Sequence, residues 1–156
     1  AKTMPALQSH LAKPAERETP AYAIYPEKLS EPYRSSRFKV GEDMYQLLGI
    51  PREDKAARFA HLARNFEFFG APAGFFCFVD KQMGPPQWSD LGMFLQTFML
   101  LAREAGLDTC AQEAWATRPA LVGNYLGEPE EHTIFCGMAI GYTDDAAPVN
   151  SLRSDR

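Results

Sequence analysis

Two continuous apolar strands on either side of a long apolar helix constrain the fold of this chain more than any other feature. The runs 71–80 and 133–142 are rich in β-forming residues and end at turn residues, the pattern of strands buried on both faces. Between them, residues 89–105 have helical spacing, with Ser89 or Asp90 as the expected cap. Apolar residues occupy nearly every side of this helix, which in a chain of 156 residues indicates contact with a partner subunit.

Shorter elements complete the pattern towards the end of the chain. Residues 107–112 predict a strand, and residues 118–126 predict a helix that Pro119 opens and Gly127 closes. Strand, helix, strand, helix, strand at this spacing predicts an α/β or α+β fold with a central sheet. The length suits one domain, 1–156.

The first forty residues differ from the rest in their proline content. Five prolines lie between positions 5 and 32, and proline fixes φ and removes a hydrogen-bond donor. We therefore expect 1–40 to form an extended arm or lid without long helices, apart from a short helix near 4–13. A flexible linker is the alternative, although the several aromatic residues favour an arm that lies on a surface. Helices are expected at 41–48 and at 51–66.

Composition excludes several classes of protein. Sixteen basic and 20 acidic residues give a net charge of −4, which argues against a generic nucleic-acid-binding protein. The sequence has no signal peptide pattern and no apolar run long enough for a transmembrane helix. Three cysteines are widely spaced, so we expect buried structural thiols and a reducing, cytoplasmic location; they are Cys77, Cys110 and Cys136. The three histidines lack metal-ligand spacing, so we expect no metal site.

Two segments are candidates for ligand binding. Residues 108–115 follow a strand and precede a helix, where open sheets often bind ligands, and Ala111 and Ala114 would let a flat ring approach closely. The alternative is a simple connection in which Trp115 is a core anchor. Residues 148–156 carry two arginines and two serines, which suit a phosphate; the alternative is a solvated basic tail.

Both segments belong to a series of blocks that resembles the FMN-dependent nitroreductase family. The blocks occur in family order from about Tyr22 to the end of the chain. The most specific parts are Gly-Leu-Asp-Thr-Cys-Ala-Gln-Glu at 106–113 and Asn-x-x-Arg-x-x-Arg at 150–156. The full set is 64–72, 87–96, 105–115, 136–142 and 150–156.

The resemblance implies a fold, an assembly and a cofactor site. The family fold is an α+β sandwich with a central, mostly antiparallel sheet wrapped by helices, and its members are homodimers with FMN at the subunit interface. The helix at 89–105 would then run through the dimer core. A backbone N–H near Glu113 or Ala114 would face the flavin N5, and the two arginines would hold the phosphate. The cofactor-binding residues that follow by position are Ala111, Gln112, Glu113, Ala114, Arg153 and Arg156.

The resemblance also implies a reaction. NAD(P)H would reduce FMN, and the reduced flavin would then pass a hydride to a nitroaromatic or related electrophile in a ping-pong cycle. Such a site needs no protein acid or nucleophile. The lid would span 22–45 and supply aromatic side chains that contact a small aromatic substrate, namely Tyr33, Phe38 and Tyr45.

The chain also departs from the family pattern. The basic segment that opens the family and holds the FMN phosphate and ribityl chain does not occur in it, nor does the family's C-terminal extension. We therefore expect a single nitroreductase-like domain that is incomplete at its N-terminus. The alternative to an enzyme is a catalytically inactive flavin-binding module or a structural dimer fragment.

Overall fold

The structure, a computed structural model, describes residues 3–11 and 18–154, and these fall into two units. The first unit contains residues 3–11, 18–24 and 64–142, and the second contains residues 25–63 and 143–154. Arg156 lies outside the described residues. The predicted arm over 1–40 is thus divided between the two units.

Five α-helices and three strands are described, together with three short 3₁₀ segments. In chain order they are α1 (Met4–Leu11), α2 (Tyr33–Leu47), α3 (Lys55–Ala63), β1 (Ala73–Asp80), α4 (Pro85–Glu104), β2 (Asp108–Gln112), α5 (Pro119–Leu126) and β3 (His132–Gly141). The 3₁₀ segments are Arg64–Gly70, Glu113–Thr117 and Pro148–Ser151. Within the described part of the chain, none of the helices is long and apolar enough to cross a bilayer.

The sheet of the first unit has the order β1-β3-β2, and both pairings with the central strand are antiparallel. Cys77 of β1 pairs with Cys136 of β3, whereas the next residue, Phe78, pairs with Ile134. Phe135 is therefore the extra residue of a β-bulge, which leaves it without a partner on β1.

Side chains alternate between two covered faces of this sheet. Phe76 and Phe78 contact the cluster that includes Trp115 and residues of α1 and α5, whereas Phe75 and Cys77 contact the cluster formed with α4. Burial on both faces explains why β1 and β3 are continuously apolar rather than alternating. The predicted α+β fold with a central antiparallel sheet covered by helices is confirmed.

The chain takes an unusual backbone path just before β1. Phe68 and Phe69 have φ values of 50° and 52°, in the left-handed region that non-glycine residues seldom adopt. The ring of Phe68 is only 2% exposed and lies 5.0 Å from the Trp115 ring, centre to centre. A Cβ on Gly74 would fall 2.7 Å from this ring, so glycine leaves the space that Phe68 fills. Burial of the ring offsets the backbone strain.

In the second unit, Arg58 of α3 connects this helix to α2. Its guanidinium donates to the Glu42 carboxylate at 2.7 Å and lies 4.0 Å from the centre of the Tyr45 ring. The hydrogen bond and charge of Arg58 lower the pKa of Glu42. One side chain thus combines an ion pair with a cation–π contact between the two helices.

The predicted helix at 41–48 is too short, because α2 begins at Tyr33. The prolines that predicted an extended arm all precede Tyr33, and no proline interrupts the chain between 33 and 47. The Glu31 carboxylate accepts a hydrogen bond from the Ser35 N–H at 3.1 Å, which satisfies one donor of the first turn. The expectation that 1–40 lacks a long helix is therefore wrong for residues 33–40.

Two other helix boundaries differ from the predictions. The long helix α4 begins at Pro85, with Gly84 as N-cap, and not at a cap on Ser89 or Asp90. Proline is tolerated in a first helical turn, where its missing N–H has no partner to lose. The helix predicted over 51–66 is shorter, since α3 covers Lys55–Ala63 and a 3₁₀ segment follows.

Candidate functional site

The first candidate segment lies where β2 ends and a 3₁₀ turn begins. β2 is an edge strand of the described sheet, and the turn Glu113–Thr117 follows directly after Gln112. Ala111 and Glu113 are exposed, Ala114 is half-buried, and Gln112 between them is 2% exposed. The four predicted flavin-edge residues therefore form one continuous stretch, which we call the edge segment (residues 111–114).

The side chain of Gln112 points into the protein. Its Nε2 donates to the backbone carbonyl of Asn65 at 3.0 Å, and its Oε1 accepts from the indole N–H of Trp115 at 3.4 Å. A buried amide requires such partners, because an unsatisfied one costs about 1–3 kcal/mol. What Gln112 can offer a ligand is therefore its backbone, while its side chain anchors the edge segment to the 3₁₀ segment before β1.

Trp115 is the core anchor of this turn, as one of the sequence interpretations predicted. Its side chain is fully buried and meets the rings of Phe66 and Phe76 edge-on, with centres 5.2 and 4.8 Å away. The edge segment thus has small residues at Ala111 and Ala114 above a buried base, and the two interpretations of 108–115 are compatible.

Three carbonyls of the turn have a defined donor. The Thr117 hydroxyl donates to Ala114 O at 2.7 Å, and the Arg118 N–H donates to Trp115 O at 2.9 Å. The N–H of Ala21, from a distant part of the sequence, donates to Ala116 O at 2.8 Å. These bonds fix the backbone that follows the edge segment.

Residues 18–22 make two further contacts with this region, and we call them the strap. The Glu18 carboxylate accepts hydrogen bonds from the N–H groups of Ala120 and Leu121 at 2.7 and 3.2 Å. The Tyr22 hydroxyl donates to the carbonyl of Phe135 at 2.5 Å. Burial raises the pKa of Tyr22, and the nearby Glu113 and Cys136 raise it further, so the phenol keeps its proton. Sequence analysis missed Glu18 and gave Tyr22 no role beyond the arm and lid, because their partners lie more than a hundred residues away.

Two of the three thiols are buried in the sheet. Burial raises the pKa of Cys136 to about 12, with smaller contributions from Cys77 and Glu113, and burial also raises the pKa of Cys77. The prediction that these two cysteines are buried is confirmed. Neutral thiols are poor nucleophiles, which favours a structural role at both positions. Cys110 is exposed on β2, and the prediction that it is buried is wrong.

The second candidate segment belongs to the second unit. Arg153 is exposed, and its Nη1 donates to the carbonyls of Asn150 and Leu152 at 3.0 and 2.7 Å. The Asn150 amide in turn donates to Asp144 O at 2.8 Å. Both of these bonds use Nη1, and a guanidinium carries five N–H groups, so the chemistry of Arg153 suits an anion.

The predicted substrate residues lie on α2 in different surroundings. Tyr33 and Phe38 are 65% and 53% exposed, with the Arg52 guanidinium 5.1 Å from the centre of the Phe38 ring. Tyr45 is half-buried beneath Arg58 and meets the His61 ring edge-on. Phe38 and Tyr45 are two helical turns apart and share a side of α2, whereas Tyr33 does not.

The residues present fit the edge of a flat cofactor. Ala111 and Ala114 carry only methyl groups, so a ring can approach the backbone of the edge segment closely. The base beneath that segment is dry and rigid, because Trp115 and Gln112 are buried. For an anionic group, the exposed guanidinium of Arg153 supplies the appropriate donor chemistry.

Comparison with known proteins identifies the class. The sequence matches the model of the nitroreductase family over residues 10–142. It is 42% identical over 134 residues to a 4-nitrobenzoate reductase from Pseudomonas putida and 33% identical over 150 residues to a nitrobenzene nitroreductase from Ectopseudomonas oleovorans. The chain therefore belongs to the nitroreductase family.

Solved structures agree with this assignment. An FMN and NADPH-dependent nitroreductase, NfnB from sphigopyxis sp. strain HMH, is 44% identical and superimposes with a TM-score of 0.89, covering 98% of this chain and 69% of that one. The FMN-dependent NfnB from Mycobacterium smegmatis, in complex with NADPH, gives 27% identity and a TM-score of 0.86, covering 98% of this chain and 68% of that one.

The alignments also define how much of the relatives this chain represents. They cover 86% of the chain and 59% of the 4-nitrobenzoate reductase, and 96% of the chain and 66% of the nitrobenzene nitroreductase. The chain thus spans about three fifths to two thirds of the length of these relatives.

Proposed function

We propose that the protein containing this chain is an FMN-dependent oxidoreductase that uses NAD(P)H to reduce nitroaromatic or related electrophilic compounds. The observation that carries the proposal is the similarity to NfnB, an FMN and NADPH-dependent nitroreductase, over 98% of the chain at 44% identity. Relatives named for 4-nitrobenzoate and nitrobenzene support a nitroarene as the acceptor. These names favour an enzyme over an inactive flavin-binding module or a structural dimer fragment.

In this proposal the edge segment borders the flavin ring. Bound FMN would supply two-electron chemistry, accepting a hydride from NAD(P)H and releasing it to the electrophile. Ala111 and Ala114 leave room for the ring, and a backbone N–H of Glu113 or Ala114 would donate to its edge. The side chain of Gln112 holds this backbone from beneath through Asn65. Arg153 and Arg156 are the residues that the family resemblance assigns to the phosphate.

We further propose that the protein is a homodimer with FMN at the subunit interface, and that the two units belong to one nitroreductase-type domain. The first point is supported by α4, on which four large apolar residues are 56–62% exposed. They are Met93, Phe94, Leu100 and Leu101. Such exposure is unfavourable for a helix that faces water. Supporting the second, the family match at 10–142 runs through residues of both units.

Tyr33, Phe38 and Tyr45 are proposed as lid residues that contact a small aromatic substrate. The exposed rings of Tyr33 and Phe38 are free to stack on such a substrate, whereas Tyr45 would present only part of its ring. We also propose a cytoplasmic location, supported by the three cysteines that are all free thiols.

The experiment that tests the function uses the full-length protein that carries this chain. We expect it to purify with FMN and, in the absence of oxygen, to oxidise NADPH or NADH over many turnovers only when an acceptor such as 4-nitrobenzoate or nitrobenzene is added. Heat-inactivated protein with free FMN is the control for non-enzymatic reduction. If the protein binds FMN but reduces no nitroarene with either nucleotide, the proposed activity is wrong and the inactive flavin-binding module is supported instead.

A further inference from the structure

The strap, residues 18–22, makes hydrogen bonds to several elements that surround the edge segment in sequence or in the sheet. Three of its residues make hydrogen bonds to three successive parts of the first unit: the turn after the edge segment, the start of α5 and the bulge of β3. No residue of the strap belongs to a helix or strand. The strap therefore uses its hydrogen bonds to hold neighbouring elements, and one of these bonds fixes the turn that directly follows the edge segment.

Glu18 replaces a missing helix cap. The N-cap residue of α5, Arg118, makes no side-chain capping bond, and the first N–H groups of a helix have no acceptor within it. The carboxylate of Glu18 accepts from two of these groups, at Ala120 and Leu121. A carboxylate at this position also interacts favourably with the positive end of the helix dipole.

Tyr22 serves the bulge in a similar way. The extra residue of the bulge, Phe135, has no ladder partner on β1, and the pairing of β2 with β3 extends only over Gly137–Gly141. The Tyr22 hydroxyl donates to its carbonyl, and the Tyr22 ring lies against the rings of Trp88 and Phe135, with centres 5.1 and 6.1 Å away. The phenol is thus fixed between β3 and the first turn of α4.

The residue before this tyrosine bonds to the turn that follows the edge segment. The Ala21 N–H donates to Ala116 O at 2.8 Å, two residues after the edge segment ends. The charge of Glu113, a residue of the edge segment, also raises the pKa of Tyr22. The strap therefore bonds to the backbone just after the residues proposed to meet the flavin, and Glu18 and Tyr22 fix the strap there through α5 and β3. A shift of that backbone would change the distance of its N–H groups from the ring, and such donors affect reduced and oxidised flavin unequally.

We propose that Glu18 and Tyr22 are positioning residues that set the backbone of the edge segment against the flavin and so tune its preference for the reduced state. This inference rests on the proposed function. It assigns a role in cofactor chemistry to a segment that lies outside the family blocks quoted above and contains no predicted flavin contact.

The test uses the full-length protein with FMN and four variants. Tyr22→Phe removes only the hydroxyl that meets Phe135, and Glu18→Ala removes the cap of α5. Glu18→Gln is the conservative variant, because its amide oxygen can still accept from Ala120 and Leu121. Tyr125→Phe is the matched control, since the Tyr125 hydroxyl also donates to a backbone carbonyl, that of Thr3 at 3.4 Å. For each, we would measure the affinities for oxidised and reduced FMN and the melting temperature.

We expect Tyr22→Phe and Glu18→Ala to change the ratio of the two FMN affinities by roughly two- to tenfold, since they remove one and two hydrogen bonds respectively. Glu18→Gln and Tyr125→Phe should keep the wild-type ratio. A lower melting temperature with an unchanged ratio would show a merely structural strap and overturn the inference. So would an equal shift of the ratio in Tyr125→Phe. If Tyr22→Phe fails to fold, the comparison of Glu18→Ala with Glu18→Gln decides the question.

The outcomes also separate this inference from the proposed function. A wild-type protein that binds FMN and reduces nitroarenes, with strap variants that keep its affinity ratio, overturns the role of the strap and leaves the function standing. A wild-type protein that binds no FMN overturns both.

Discussion

The indole of Trp115 lies so close to Gly137 that a Cβ on this glycine would fall 2.3 Å from the indole Cδ1. Trp115 is fully buried below the edge segment, and Gly137 lies on the central strand β3. Because residue 137 has no side chain, the turn after β2 can pack closely against the sheet.

Gly137→Ala tests this relationship. The added methyl group must displace a buried ring, and we expect a loss of about 1–3 kcal/mol in the free energy of unfolding, measured by urea denaturation. Gly123→Ala is the control, because a Cβ at that helical glycine meets no atom within 4 Å. It should be neutral or stabilising. Equal losses in the two variants would contradict the packing described here.

Gln112→Leu tests the polar anchor of the edge segment. The substitution keeps much of the volume but leaves the Asn65 carbonyl and the Trp115 N–H without the partners they have in the wild-type protein. We expect a loss of about 1–3 kcal/mol in stability and weaker FMN binding, measured by denaturation and by flavin titration. Gln46→Leu, at an exposed position on α2, is the control and should change neither quantity. Unchanged stability in Gln112→Leu would rule out the anchor.

The buried thiol of Cys136 predicts a loss of stability at alkaline pH. Its pKa is about 12 in the folded protein, above the ordinary value of 9.0, because burial disfavours the thiolate. Above pH 9 the unfolded chain releases this proton while the folded chain keeps it, so the free energy of unfolding decreases as the pH rises. The contribution of the Cys136 thiol to the free energy of unfolding is fully present below pH 9 and is lost between about pH 9 and 12. At pH 10 the loss amounts to about 1 kcal/mol.

A comparison of the wild-type protein with Cys136→Ala isolates this contribution from other groups that titrate at high pH. The difference in unfolding free energy between the two proteins should be constant from pH 7 to 8.5 and should then decrease as the pH rises. A difference that stays constant up to pH 10.5 would show that the thiol titrates normally.

The exposed apolar side of α4 predicts an effect on assembly. Phe94→Glu places a charge among Met93, Leu100 and Leu101, and we expect the proposed dimer of the full-length protein to dissociate. Light scattering after size-exclusion chromatography measures the mass directly. Gln96→Glu, an exposed polar position on the same helix, is the control and should remain dimeric. A dimeric Phe94→Glu variant would place the interface elsewhere.

Local periodicity was sufficient to predict most of the strands and helices, whereas the choice of an α+β fold with an antiparallel sheet came from the family resemblance. The apolar runs that became β1 and β3 are buried on both faces, and the period of α4 is clear because its apolar residues recur at helical spacing. Boundaries were less predictable where proline was involved. Pro85 opens α4 and Pro32 precedes α2, so in both places proline begins a helix instead of excluding one.

The candidate site could be predicted only in part. Family resemblance selected residues 111–114, and the structure places them on one continuous segment. It could not predict that the Gln112 side chain turns inward, because its partner Asn65 lies 47 positions away. The partners of Glu18 and Tyr22 are 102 and 113 positions away, and no local pattern encodes such contacts.

The most direct test of the account is a crystal structure of the full-length protein with FMN. We predict that the edge of the flavin ring lies within hydrogen-bond distance of a backbone N–H of Glu113 or Ala114, with the Ala111 and Ala114 methyl groups beside the ring. A flavin bound at another surface, with residues 111–114 open to solvent, would contradict the account.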